Sequence, residues 1–566
     1  MRCGAREAMT TQGDLNAAWA TALIDGLAQA GITRAVISPG SRSTPLALAC
    51  LRHPNLVSRI LLDERVAAFY ALGLARAEGQ PVILICTSGS AVANWYPAVA
   101  EADAARIPLI LLTADRPPEL QDCGANQTFD QRALFAPQLR AAHTLPPAEP
   151  GRDWLGSLAA RVVSQSQWPL AGPVQINVPF REPLLESSPP PPATSLPPLV
   201  LLPRLTLGTD AITILARRIE GRRGVILAGA ESLSPEPLVR LAEALNWPII
   251  ADPLSGLRFG PHDRERVMAR ADLFLRGHFQ PADIVLRFGA FPVSKAVGQW
   301  QARAAERIVV SRDSRWPDPG RDAATMIHAD PALLAEALAE TVTRPAAPNW
   351  LHSWQAIERH GAAVAERLAS PETDLFQAAI AALPEDALLF VGNSMTIRDL
   401  DDFSGTSDKS LTIMCNRGLS GIDGNLSTFF GAVASGRFSA ALALVGDLTF
   451  LHDLGGLAAG QSLSATIGLL DNGGGGIFEY LPQQSLPEFT SGWLTPQRAD
   501  VAAATAVWGH RYRPTEPDGF AAALAKSLAD PGVSVSVLHL AIDRAGSAAR
   551  HRAVWAASSL SEETSA

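Results

Sequence analysis

Strand-length apolar runs recur along this chain, each stopped by a small or polar residue and followed by a segment of helical pattern. They read "RAVISPG", "PVILICTSG", "IPLILLTAD", "GPVQINVPF", "GVILAGA", "WPIIADP", "DIVLRFG", "RIVVSRD", "ALLFVGNS", "AALALVGD" and "ATIGLLDN". A strand that is apolar on both faces cannot turn either one to water. It belongs in a parallel sheet covered by helices on both sides, so the fold class is α/β. In open sheets of this kind ligands sit outside the carboxyl ends of the strands, which is where these runs stop. The residues at the stops are the first places to look for chemistry.

At 566 residues the chain exceeds what one core can hold. Two breaks divide it. "SSPPPPATSLPPLVLLPR" (187–204) is too proline-rich to pack and reads as an extended, semi-rigid connector, and "TRPAAPNW" (343–350) is a weaker second one. They separate blocks at 10–186, 205–342 and 350–566, each large enough for an α/β domain. The tail "SSLSEETSA" is expected to fray, and no short-period repeat is visible.

Composition excludes several classes. A net charge of −9 argues against nucleic acid or an anionic membrane as the main partner. The cysteines (Cys3, Cys50, Cys86, Cys123, Cys415) are scattered without metal spacing and read as reduced thiols of a cytoplasmic protein. No apolar run approaches the roughly 18 residues that span a bilayer. "MRCGAREAMTTQGD" has no apolar core of a secretory signal, and either Met1 or Met9 could be the start.

One strand stop is unusual. "LLDNGGGGIF" (469–478) leaves its strand through an acid, an amide and four glycines. Glycines in a row cost backbone entropy, and the loop read alone is equally a flexible turn or a ligand cradle. Upstream, "ALALVGDLTFLHDLGGL" ends another apolar strand at Gly446-Asp447, one βαβ crossover before Asn472. Both residues can therefore reach one edge of one parallel sheet. A carboxylate, an amide oxygen and a loop carbonyl are the donor types with which a protein completes the octahedron of a magnesium ion bound to a diphosphate.

This pattern resembles the diphosphate motif of thiamine diphosphate enzymes, which runs from Gly-Asp-Gly to an Asn pair. The resemblance implies a thiamine diphosphate-binding fold, with Asp447, Asn472 and the Gly474 carbonyl on Mg²⁺ (or Mn²⁺). It places Gly446 and Leu448 against the diphosphate, and Ile477 and Phe478 along the thiazolium. Two positions depart from the motif: Leu448 replaces the third glycine and Asp471 the first Asn. Such enzymes also need a buried acid against the aminopyrimidine ring. In "LLDERVAAFYALGLARAEG", Asp63 reads as a helix N-cap and Glu64 as the first helical residue. Val66, Phe69, Tyr70, Gly73, Leu74 and Ala77 follow as a buried stripe. A first-turn acid can simply answer the helix dipole. The match of Glu64, Ala67, Ala71, Gly73, Ala75 and Arg76 to the glutamate helix of these enzymes implies the catalytic acid.

Arginines stand at several strand-end loops: Arg42 in "SPGSRSTP", Arg116 in "TADRPPE", Arg398 in "GNSMTIRD" and Arg417 in "NRGLSG", with Lys295 in "FPVSK". Any one could be a solvated or structural ion pair, but together they suit polyanionic substrates. These loops, with "LTADRPPELQDCGANQ" and "NRGLSGIDG", are similar to the 2-succinyl-5-enolpyruvyl-6-hydroxy-3-cyclohexene-1-carboxylate synthases of menaquinone and phylloquinone synthesis. That family decarboxylates 2-oxoglutarate and adds the succinyl unit to isochorismate. By the resemblance Ser41, Arg42, Arg116, Asn126, Gln127, Lys295, Ser394, Arg398 and Arg417 contact substrate. Some relatives carry a second basic residue after the lysine, where this chain has Ala296.

The resemblance further implies a homodimer or homotetramer with the cofactor held between subunits. The middle block has a Rossmann-like rhythm but no GxGxxG, so no flavin or nicotinamide is expected there. Two other readings stand beside the carboligase. One is another thiamine 2-oxo acid decarboxylase or acetolactate-type synthase, which the arginines and the missing His-His pair disfavour. The other is a non-catalytic binding protein, against which Glu64 and Asp447 are both present.

Overall fold

The computed structural model describes residues 11–190, 196–231, 233–277, 280–530, 532 and 534–559. The choice between Met1 and Met9, the prolines at 191–192 and the tail beyond 559 lie outside the described residues. Residues 196–208 run as exposed chain without helix or strand.

The described strands form three six-stranded sheets, and every pair is parallel. The first holds β1 (Arg34–Ile37), β2 (Val57–Ile60), β3 (Val82–Cys86), β4 (Leu109–Asp115), β5 (Ala141–Thr144) and β6 (Pro173–Pro179), in the order β2-β1-β3-β4-β6-β5. The second holds β7 (Gly224–Ala228), β8 (Ile249–Ala251), β9 (Val267–Met268), β10 (Ile284–Phe288), β11 (Glu306–Ser311) and β12 (Thr325–His328), in the order β12-β11-β10-β7-β8-β9. The third holds β13 (Ala387–Val391), β14 (Leu411–Met414), β15 (Ala441–Gly446), β16 (Ala465–Asp471), β17 (Arg511–Thr515) and β18 (Val535–Ala541), in the order β14-β13-β15-β16-β18-β17. The first and third sheets share one topology, a repeat that no sequence period announced.

All the strand-length apolar runs became strands, and those of β3, β4, β6, β7, β10 and β13 are buried end to end. The strands the sequence did not announce lie at or beside the sheet edges. β2, β5, β12, β14 and β17 are only partly buried, so their sequences carry polar residues and no continuous apolar signal.

Seven helices position the candidate residues: α1 (Glu64–Glu78), α2 (Tyr96–Ala105), α3 (Lys295–Gln301), α4 (Met395–Phe403), α5 (Asn425–Ala434), α6 (Asp447–His452) and α7 (Arg544–Ser558). Asp63 caps α1, its carboxylate accepting from the amides of Arg65 (2.8 Å) and Val66 (3.2 Å), and Gly79 ends the helix in the left-handed region. The single stripe expected on α1 understates its burial along most of the helix, although Ala77 at its end is only half-buried. Every residue from Val66 to Ala75 is buried, because the first sheet lies against one side and α5 against another.

The chain divides into two compact units. The first comprises the residues up to Leu202 together with Asn416–Arg437 and Gly455–Ala459; the second comprises Pro203–Cys415, Phe438–Leu454 and Gly460 onward. Within the first unit α1 and α5 approach until their backbones touch. A Cβ on Gly73 would collide with the Thr428 carbonyl, and one on Gly431 with the Tyr70 carbonyl. Gly73→Ala must therefore push α5 off α1, and overpacking of this kind costs about 1–3 kcal/mol. A lowered thermal midpoint is expected, and an unchanged one would show that the two helices do not meet through this face.

Candidate active site

The glycine loop and its acid lie at the carboxyl edge of the third sheet. β15 and β16 are hydrogen-bonded neighbours with Gly446 opposite Leu470, so Asp447 and Asn472 leave adjoining strands almost side by side. Asp447 is the first residue of α6, and its carboxylate accepts from the amides of Leu448 and Gly474. Burial and the nearby Asp471 charge nonetheless push its carboxyl up to about 6. Asn472 Oδ1 is buried with no hydrogen-bond partner. An orphaned amide oxygen and a carboxylate at the ends of adjoining strands are oxygen donors of the type that hard cations take. The glycines answer to packing here. Gly474 has φ +131°, and a Cβ on it would strike the Leu494 carbonyl. A Cβ on Gly476 would strike the Asn472 amide. Ile477 and Phe478 follow in a half-buried 3₁₀ turn, Gly476–Tyr480.

Asp471, the departure from the Asn pair, has partners of its own. Its Oδ1 accepts from the Gly473 amide (3.0 Å) and its Oδ2 lies 2.9 Å from His539 Nε2, whose Nδ1 meets the Tyr512 hydroxyl at 2.9 Å. The carboxylate is thus held toward β17 and β18, although its charge still reaches Asp447.

In the first unit, the loops after β1, β3 and β4 bring several expected residues together. Arg116 donates to Ser88 Oγ, which donates to the Gln127 carbonyl (3.1 Å), while Gln127 Nε2 returns a bond to the Ser88 carbonyl (2.9 Å). Gln127 holds φ +58°, unusual for a non-glycine residue and a common mark of a functional loop. Ser41 and Asn126 are exposed beside these loops. Burial and the charge of Arg42 loosen the hold of Arg116 on its proton, as two neighbouring guanidiniums should. Arg42 is less available than the sequence suggests. Its Nη1 is committed to the Phe180 carbonyl and its Nη2 to Glu182, each at 2.9 Å, leaving a buried Nε without a partner.

Glu64 opens α1 half-buried, with Asn94 Nδ2 at 3.4 Å and close enough to the buried Cys86 thiol to help raise it. Arg417 stands in the same unit on a loop gripped from beneath. The Glu101 carboxylate of α2 accepts from the amides of Gly418 (2.8 Å) and Leu419 (2.6 Å) and lies 3.7 Å from Arg76.

The second unit holds the remaining candidates. Ser394, at φ +69°, turns the chain from β13 into α4, and Arg398 folds back onto the Ser394 carbonyl (2.5 Å). Lys295 is the exposed first residue of α3. Its loop is fixed by two acids: Asp252 accepts from the Val293 amide (2.9 Å), and Asp272 from the Ser294 hydroxyl (2.5 Å). Ala296, where some relatives are basic, is buried in the central core, so a charge there would face apolar neighbours. At the far end of α4, Asp401 pairs with Arg258 and Asp402 accepts from Trp555 Nε1 (3.1 Å); burial holds both carboxyls above their usual range.

Comparison with known proteins identifies the family. The thiamine pyrophosphate enzyme N-terminal TPP binding domain matches residues 18–134, and the middle domain of thiamine pyrophosphate enzymes matches 214–391. A 2-succinyl-5-enolpyruvyl-6-hydroxy-3-cyclohexene-1-carboxylate synthase from Dechloromonas aromatica is 46% identical across 90% of this chain and 96% of its own length. The synthase of the same name from Geobacillus kaustophilus is 40% identical across 96% and 98%. The chain belongs to this synthase family. A benzoylformate decarboxylase structure from Polynucleobacter necessarius shares the fold, with TM-score 0.72 at 17% identity over 95% of this chain and 99% of that one.

Within the synthase chain, three contributors escaped the sequence reading. Ser88 links Arg116 to Gln127, Asn94 faces Glu64, and Glu101 seats the Arg417 loop. Ser88 and Asn94 lie in "CTSGSAVANW", whose strand-end position was the available signal; Glu101 meets a loop 317 residues away, which no local pattern shows.

α4 is also held by a buried histidine. His551 Nε2 lies 2.8 Å from Asp399, next to Arg398, and its Nδ1 lies 2.9 Å from the Ser547 carbonyl. Burial alone would lower this imidazole, but Asp399 and the Ser547 carbonyl outweigh it and raise its hold on the proton. A raised folded value means the stabilisation is complete below the ordinary imidazole range, about 6.5, and fades as pH climbs through the folded value. The thermal-midpoint difference between wild type and His551→Gln should be widest near pH 6 and should narrow on the alkaline side. A pH-independent difference would show that folding does not change the hold of His551 on its proton.

Proposed function

We propose that this chain is a thiamine diphosphate-dependent transferase of menaquinone or phylloquinone synthesis. It takes 2-oxoglutarate, releases CO₂ and joins the remaining succinyl unit to isochorismate, giving 2-succinyl-5-enolpyruvyl-6-hydroxy-3-cyclohexene-1-carboxylate. The observation that carries the reading is the unpartnered Asn472 Oδ1 beside Asp447 at the ends of adjoining strands, in a chain of this family.

Asp447, Asn472 and the Gly474 carbonyl would hold Mg²⁺ or Mn²⁺, both of which accept oxygen donors. Gly446 and Leu448 would lie against the diphosphate, with Ile477 and Phe478 walling the thiazolium. When bound, thiamine diphosphate supplies the nucleophilic carbon and the electron sink that decarboxylation of a 2-oxo acid requires. Glu64 would hold and move a proton at its carboxyl oxygen against the aminopyrimidine ring. Arg116, with Ser88 and Gln127 fixing its fork, offers a carboxylate site in the first unit, joined by Ser41, Asn126 and the remaining donor of Arg42. Arg417, Arg398, Ser394 and Lys295 would serve the other carboxylates of two dicarboxylic substrates. Glu64 is only half-buried in one chain, and an acid of this role needs burial. That supports a homodimer, or a dimer of such dimers, in which a partner subunit helps to cover each cofactor. The free thiols of Cys50, Cys86, Cys123 and Cys415 support a cytoplasmic location. Among the described residues no helix is long and apolar enough to cross a membrane.

Purified protein with thiamine diphosphate, Mg²⁺, 2-oxoglutarate and isochorismate should form the succinyl adduct. Product that lacks the isochorismate ring would point to a simpler decarboxylase. Glu64→Gln should keep the fold and bind cofactor while losing most turnover, because an amide cannot supply the carboxyl proton; near wild-type rates would remove Glu64 from the mechanism.

The arginines can be tested apart. Removing a charge-assisted contact in a partly desolvated pocket costs about 2–5 kcal/mol, so Arg398→Ala and Arg417→Ala should each lose well over tenfold in kcat/KM. CO₂ release from 2-oxoglutarate alone reports the donor half, and adduct formation reports the acceptor half. Each variant should damage at least one half with cofactor affinity unmoved; normal kinetics in both would refute the dicarboxylate assignment.

A further inference from the structure

The glycine loop is bracketed by one side chain. Arg544, the first residue of α7, donates from Nη1 to the Asn472 carbonyl (3.0 Å) and from Nε to Glu479 Oε1 (3.0 Å). Between those two anchors lie the glycines Gly473–Gly476 and then Ile477 and Phe478. The same C-terminal segment grips the loop twice more. The Ile542 amide donates to the Asp471 carbonyl (2.7 Å), and Arg552 Nη2 donates to the Glu479 carbonyl (2.6 Å).

We infer that Arg544 is a positioning residue that preforms the metal and diphosphate loop; the inference rests on the proposed cofactor site. Ordering a backbone residue costs on the order of 1–2 kcal/mol, and glycine costs most. A loop with four glycines would otherwise meet that cost when the cofactor binds. A planar fork that bonds both ends of the loop shifts the ordering into the folded protein. It does a second thing. Glu479 is largely buried, and its carboxylate is paired by Arg544 on Oε1 and by Gln484 Nε2 on Oε2 (2.9 Å). Without the guanidinium that acid would keep its Gln484 hydrogen bond but lose the Arg544 ion pair, and the loop would lose its second anchor.

The test is the thermal midpoint of the full-length protein, titrated with thiamine diphosphate at fixed Mg²⁺. Wild type should be stabilised, and Asp447→Asn should lose that response. Arg544→Ala should keep a midpoint close to wild type without cofactor, yet need about tenfold more thiamine diphosphate for the same stabilisation. Its kcat at saturating cofactor should return toward wild type, and Arg544→Lys, which keeps the charge and one bond, should recover part of the affinity. If Arg544→Ala does not purify folded, Arg544→Gln carries the same expectation, since it keeps donors but loses the fork. A wild-type titration curve in these variants overturns the staple while leaving the metal loop intact. A wild type that thiamine diphosphate does not stabilise, or an Asp447→Asn that it stabilises fully, overturns the metal loop itself.

Discussion

Parallel pairing brings every strand of a sheet to the same edge with its carboxyl end, and the rest of this structure depends on that constraint. In the first sheet the order reverses between β1 and β3, and Arg42 and Ser88 follow those two strands. In the third it reverses between β13 and β15, and Ser394 and Asp447 follow those. Where neighbouring strands send their helices to opposite faces, a crevice opens that no side chain of the sheet fills. Each of these two like sheets brings polar residues to its own point of reversal.

Charge is kept there at a cost. Asp447, Asp401, Asp402 and Glu101 all sit where burial raises their carboxyls. Three of them have protein partners: Asp401 has Arg258, Asp402 has Trp555, and Glu101 has Arg76 with two backbone amides. Asp447 has only amides and a neighbouring negative charge. Asp401 and Glu101 are satisfied within the fold, whereas Asp402 has a partner on Oδ2 alone. Among the described residues, Asp447 differs from the other three in having no cation, hydroxyl or indole donor beside it, only backbone amides.

The parts of this architecture legible from the residues are those where local chemistry and global position coincide. Apolar runs such as "PVILIC" could only be central strands, and Asp63 capping a helix that begins at Glu64 is written in adjacent letters. The glycines of 473–476 signalled close approach, though not that the Leu494 carbonyl and the Asn472 amide were the neighbours. What could not be read was whatever depends on distant partners. β2 and β17 look like polar coil until a sheet edge receives them. Arg42 looks like an open fork until Phe180 and Glu182 are seen to take two of its donors. Ala296 looks like a missing charge until the core closes over it.

The close fit of α5 on α1 has a consequence for how the protein comes into being. The first unit borrows Asn416–Arg437 from far downstream, and the backbone contact between Gly73 and Thr428 cannot form before that stretch exists. At about 5–20 residues per second, a ribosome takes roughly ten to fifty seconds to get from Leu202 to Arg437. For that interval one side of the glutamate helix, with Phe69 and Tyr70 on it, waits without its cover. The N-terminal sheet therefore cannot mature in the order in which it is translated. A nascent chain of this design has to be kept from aggregation until residues from its other half arrive.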